Sequence, residues 1–116
     1  VPVRDDPDAV TAALEETAPA LGYVVGRRAG LPDGSRVRIE LTGPGATTYL
    51  VEVAGRAALV PELAGPPTVT LELPAVLFLR LGAGRLDAAP LLGSSISVGG
   101  DTALAAQLAT HLAFTI

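Results

Sequence analysis

Between Arg36 and Leu73 the chain alternates apolar and polar residues with a period of two, and this pattern restricts the fold more than any other feature. Val37, Ile39 and Leu41 interleave with Arg36, Arg38, Glu40 and Thr42. Tyr49, Val51 and Val53 make a second run, and Thr68 to Leu73 a third, the cleanest of all. Successive side chains on a strand point to opposite faces, so these runs predict strands with one buried and one solvated face. Turn residues bracket them: Asp33-Gly34, Gly43-Pro44-Gly45 and Gly65-Pro66-Pro67. Gly55-Arg56 suits a two-residue hairpin loop with Gly in the first position. It returns the chain along Ala57–Val60, which Pro61 stops. Short turns join the first three strands, so an antiparallel meander is expected.

The flanks read differently. Asp5 or Asp6 can cap a first helix, Pro7 suits its first position, and Asp8 adds charge where the helix dipole favours it. Val10, Ala13, Leu14, Thr17 and Leu21 follow at helical spacing, and Pro19 with Gly22 mark its end, which predicts a helix over about 7–20. After Pro74 the pattern changes. Ala75 to Leu81 is apolar on nearly every side, as in a helix buried on more than one face or facing a cavity. Gly82 and Gly84 end it, and Ser95-Ile96-Ser97-Val98 is a last short strand. Gly99-Gly100-Asp101 is expected to turn the chain, with Asp101 capping a final helix over about 102–112. Leu104, Leu108, His111 and Leu112 share one stripe of it. The sum is an α+β fold: a largely antiparallel sheet of about five strands with helices on one face.

Composition narrows the chemistry. The 116 residues are 49% hydrophobic and 3% aromatic, enough for one aliphatic core and one domain. The chain has no cysteine, which excludes a disulfide framework, a thiolate nucleophile and a cysteine metal site. A lone histidine, His111, cannot form the two-histidine set of most catalytic zinc sites. A net charge of -4 argues against nucleic acid as a partner. The longest apolar run, Ala75 to Leu79, is far too short to span a membrane. No segment has the order of a signal peptide, which makes the cytoplasm the expected location. All basic residues are arginine, with abundant alanine, an association with GC-rich genomes.

From Pro74 onward the chain resembles the sterol carrier protein family. That family has an apolar helix ending in a Gly-Lys/Arg-Leu element, then a short strand, then Gly-Asp opening the last amphipathic helix. Here the pieces read Leu77-Phe78-Leu79-Arg80-Leu81-Gly82-Ala83-Gly84-Arg85-Leu86-Asp87, then Ile96-Ser97-Val98-Gly99-Gly100-Asp101. A narrower resemblance is to the C-terminal domain of actinobacterial mycothiol-dependent maleylpyruvate isomerase-like proteins. It is carried by Arg36 to Gly45, the strand pair after it, Thr68 to Leu73, and the Gly-Arg and Gly-Asp elements. In those proteins a DinB-like helical bundle comes first and binds a divalent metal. The bundle and its ligands have no counterpart in this chain. The resemblance therefore implies either an upstream metal-binding partner domain, with mycothiol and a divalent metal in the parent protein and no cofactor here, or a stand-alone relative. The chain starts at Val1 and has no Met, so either an initiator was removed or this is a piece of a longer protein.

The resemblance also singles out residues. Arg85 is a candidate contact for a carboxylate of a substrate or of mycothiol, because arginine holds a carboxylate through two parallel hydrogen bonds. The plain alternative pairs it with Asp87 or a helix-end carbonyl, with Gly84 as the helix stop. In the sterol carrier family, sheet and helices enclose an apolar tunnel. Leu77, Phe78, Leu81, Leu104, Leu108 and Leu112 are the residues expected to line one here, with Phe114 near its mouth, so that an apolar small molecule or lipid becomes a candidate partner. The plain alternative is that they fill the core and leave no void. His111 is expected to be partly exposed near a helix end, not a catalytic base or metal ligand. Arg36, Arg38 and Glu40 are expected on a solvated strand face, or on a docking surface for another domain.

Overall fold

The alternating runs become the sheet. In the computed structural model, which describes residues 7–43, 46–82 and 88–112, β1 (Arg36–Thr42), β2 (Thr47–Ala54), β3 (Arg56–Leu59), β4 (Val69–Pro74) and β5 (Ser97–Gly100) lie in the order β3-β2-β1-β4-β5. The meander β1-β2-β3 is antiparallel, as expected, and β4 pairs antiparallel with β5. The one parallel pair is β1 with β4, where Ile39 sits opposite Leu71. After β3 the chain passes from that edge to the far side of β1. This loop is fastened to the sheet: the Ala64 N–H donates to Glu52 Oε1 at 2.7 Å and the Thr68 N–H to the Arg36 carbonyl at 2.8 Å.

Period-two alternation sends one set of side chains to each face. Val37, Ile39 and Leu41 of β1, Val51 and Val53 of β2, and Val69, Leu71 and Leu73 of β4 are all buried. They meet the helices on that face: α1 (Pro7–Thr17), α2 (Leu21–Tyr23), α3 (Ala75–Gly82) and α4 (Thr102–Ala109). Each large aliphatic or aromatic residue buried this way contributes roughly 1.5–3 kcal/mol. The other face carries Arg38 and Glu40, which form an ion pair, with Arg36, Glu52 and Glu72 partly exposed around them. The expected solvated face is therefore there, and Glu40 neutralises Arg38.

Four boundaries differ from expectation, one of them the end of α4, which stops at Ala109 and not near residue 112. The first helix does not end near residue 20. Helical backbone continues through a 3-10 turn at Ala18–Ala20, the single turn α2, and a π-helix at Val24–Arg28. Pro19 breaks the α pattern locally, since it has no N–H to donate. Gly22 serves packing, not termination: a Cβ there would sit 3.0 Å from the Ala57 carbonyl oxygen. The hairpin loop is tighter than two residues, because Ala54 pairs with Arg56 around Gly55, whose φ is +78°. Finally, Gly99 and Gly100 are not a turn. They are the last residues of β5, opposite Thr70 and Val69, and β5 starts at Ser97. Asp101 does cap α4, accepting from the Leu104 N–H at 3.2 Å.

Candidate functional site

The residues expected to line a tunnel lie at the heart of the molecule. Phe78, Leu81, Leu108 and Leu112 are buried in the core, and Leu77 and Leu104 pack half-buried against it. The short helix α3 presents Ala75, Phe78, Leu79 and Leu81 inward, and leaves Arg80 exposed. It is thus buried on more than one face, as its composition requires. Arg85, with its neighbours Gly84 and Asp87, and Phe114 lie outside the described residues. His111 is exposed, not buried beside Leu108 and Leu112. Its Nδ1 lies 2.7 Å from the Gln107 carbonyl oxygen, the contact of an Nδ1–H donor at a helix end.

Three surface clefts stand out. The first is an apolar groove of about 420 Å³ between α1 and the β2–β3 hairpin. Leu14, Ala18, Pro19, Tyr49 and Leu59 form most of it, with Glu15 and Thr47 at its margin. Leu59 is 39% exposed, a large apolar residue open to water. Tyr49 connects this groove to the core: its ring lies 6.4 Å from that of Phe78, tilted by 36°, within the range of favourable aromatic pairs. Burial, and then the Glu15 carboxylate, push the Tyr49 phenol above its ordinary value. Its apolar lining suits apolar matter.

The second cleft, also about 420 Å³, lies between the α2–π-helix segment and the tip of the hairpin. Gly22, Tyr23, Gly26 and Arg27 face Gly55, Arg56 and Ala57, above Leu31 and Val53. Its character is cationic and aromatic. The third is a smaller depression of about 240 Å³ around Asp33, Ser35, Thr68, Asp101 and Leu104. Of the expected tunnel residues only Leu104 lines any of these three clefts.

Sequence reasoning missed the groove and the cationic cleft because each joins segments distant in the chain. A signal for the second was nevertheless present. Gly22 and Gly26 are four apart, so on a helix they clear one strip of side chains, where another element can approach closely. Among the described residues no group of three or more His, Cys, Asp or Glu is placed to hold a metal ion, and no helix is long and apolar enough to cross a membrane. These residues do not fit a divalent metal.

A five-stranded mixed sheet with its helices on one apolar face is the architecture of sterol carrier proteins, and solved structures of that class superimpose on it. Sterol carrier protein 2 from Yarrowia lipolytica, in its apo form, matches with a TM-score of 0.54 and 14% identity, over 90% of this chain and 88% of that one. Sterol carrier protein 2 like 2 from Aedes aegypti matches with a TM-score of 0.54 and 18% identity, over 84% and 94%. A UbiJ-SCP2 ubiquinone synthesis protein gives 0.51 and 21%, over 89% and 91%. These likenesses establish the fold. The chain belongs to the MDMPI C-terminal domain family, whose sequence model matches residues 7–107. No curated protein matches it.

Proposed function

We propose that the chain is a single domain over residues 1–116 that acts as an accessory and binding domain without catalysis of its own. In this reading it works beside an upstream DinB-like bundle, in a cytoplasmic protein of the mycothiol-dependent maleylpyruvate isomerase type. The observation that carries it is membership of a family defined as a C-terminal domain, over residues 7–107. The bundle supplies the divalent metal, and mycothiol belongs to the joint site. Arg85 is the residue this domain lends, holding a carboxylate by two parallel hydrogen bonds. The test is Arg85→Ala in the parent protein. Loss of one charged hydrogen-bonding partner should lower kcat/KM by roughly tenfold or more, with metal content unchanged. Unchanged turnover removes Arg85 from the reaction.

One observation favours a second role, the carrying of an apolar ligand such as a fatty acyl chain or sterol. The groove beside α1 is apolar and leads through Tyr49 to Phe78. In this role the ligand separates the core residues Leu77, Phe78, Leu81, Leu104, Leu108 and Leu112, with Phe114 near the mouth. The alternative is a filled-core interaction domain. Native mass spectrometry with lipid extraction decides between them. A co-purifying lipid supports the carrier; an empty chain that also ignores fluorescent fatty acids excludes it.

A further inference from the structure

We propose that the cleft between the α2–π-helix segment and the tip of the β2–β3 hairpin binds a small organic anion, one bearing a carboxylate on an apolar or planar body. The inference stands apart from the apolar groove, with which the cleft shares no lining residue. Its volume of about 420 Å³ falls within the range of small-molecule sites. Leu31 and Val53, which line it, are nearly fully buried and make an apolar floor. Tyr23, which also lines the cleft, is 60% exposed and brings an aromatic ring to it.

The charges favour an anion. Arg27 and Arg56 both line the cleft, and among the described residues neither makes an ion pair. The single carboxylate of the lining, Asp33, is already engaged: its Oδ1 accepts the Gly55 N–H at 3.0 Å. Two guanidinium groups therefore face one carboxylate, in a chain whose net charge is -4. Each can hold a carboxylate through two parallel hydrogen bonds.

The cleft is also built. The Asp33–Gly55 bond ties the loop before β1 to the hairpin tip, so that wall is held before any ligand arrives. Gly26 admits the hairpin closely; a Cβ there would meet the Ala57 Cβ at 3.0 Å. The segment carrying Gly26 and Arg27 is a π-helix, closed by the Ala29 N–H donating to the Val24 carbonyl at 2.8 Å. This wide turn is rare and concentrates at functional sites, because it re-aims side chains that an α-helix would place elsewhere.

The experiment is a titration of the isotope-labelled 116-residue chain, followed by amide NMR, with phthalate, benzoate, inorganic phosphate and a glutamate-rich peptide as separate probes. The aromatic carboxylates should shift the amides of Gly22, Gly26, Gly55 and Arg56 at millimolar concentration or below. Arg56→Gln and Arg27→Gln should each weaken binding by about tenfold, while Arg38→Gln, on the solvated sheet face, leaves it unchanged. Circular dichroism checks that each variant is folded. No shift at these amides overturns the proposal. So does equal binding by inorganic phosphate, which would mean unselective attraction of ions. Binding by the peptide alone overturns it too, in favour of a docking surface for an acidic protein segment.

Discussion

At the scale of single residues, glycine shows how one atom decides what a position tolerates. Gly100 has φ of +73°, and a Cβ there would lie 2.3 Å from the Thr68 carbonyl oxygen. Gly93 has a similar φ of +82° with nothing within 4 Å of where its Cβ would be. Left-handed backbone costs a substituted residue about 1–2 kcal/mol at both sites. At Gly100 the clash adds to it, since strand β5 cannot stay against β4. Urea denaturation should find Gly93→Ala milder by about 1–3 kcal/mol than Gly100→Ala. Tyr49 supports a second prediction. Burial first, and Glu15 second, disfavour its phenolate in the folded chain, so its folded value lies above the unfolded one. The stability that depends on the neutral phenol is complete below the ordinary value of about 10 and is lost as pH rises through the raised folded value. In a Tyr23→Phe background, phenolate absorbance should rise only at higher pH than in a free tyrosine. Glu15→Gln should lower that midpoint part of the way, leaving the larger effect of burial.

At the scale of elements, α3 is the clearest link between pattern and packing. Its apolar surface was legible in the sequence, and the structure shows why: the sheet, α1 and the core all take a share of it. Phe78 is its pivot, fully buried and paired with Tyr49. Phe78→Ala should destabilise the chain by about 3–5 kcal/mol, read from thermal or urea unfolding, because the cavity it leaves in a close-packed core cannot fully collapse. A loss well below that range would mean that the surroundings of Phe78 were already loosely packed. The segment at residues 18–28 was the least legible. Pro19 and Gly22 are ordinary helix-ending signals, yet here the backbone bends through 3-10 and π turns and goes on. Propensity describes a local preference; the close approach of Ala57 is a tertiary fact that outweighs it.

At the scale of the molecule, the strands and their faces could be read directly, since period two leaves one choice of buried side. Val37, Ile39 and Leu41 are inside for that reason, and Val69, Leu71 and Leu73 with them. The meander followed from short turns. The placing of β4 beside β1, parallel and on the far side from β3, did not, because nothing in residues 60–68 states where a loop lands. Among site residues, the aliphatic set around Phe78 was legible as apolar, but its depth in the core was not. The groove at Tyr49 and Leu59, and the cleft at Arg27 and Arg56, were invisible for one reason: each is a meeting of segments more than twenty residues apart.

The sequence by itself determined what repeats along the chain: the alternation that makes strands, the apolar run that makes α3, the Asp101 cap, and the motifs that pointed to a sterol carrier-like domain. It also determined the absence of cysteine and the single histidine, which limit the chemistry available. Only the tertiary structure decided what depends on contact between distant segments. It made β1 the centre of the sheet, turned Gly22 and Gly100 from punctuation into points of close approach, and gathered Tyr23, Arg27 and Arg56 around one cleft. Periodicity is a property of neighbours in sequence, whereas a cleft belongs to neighbours in space.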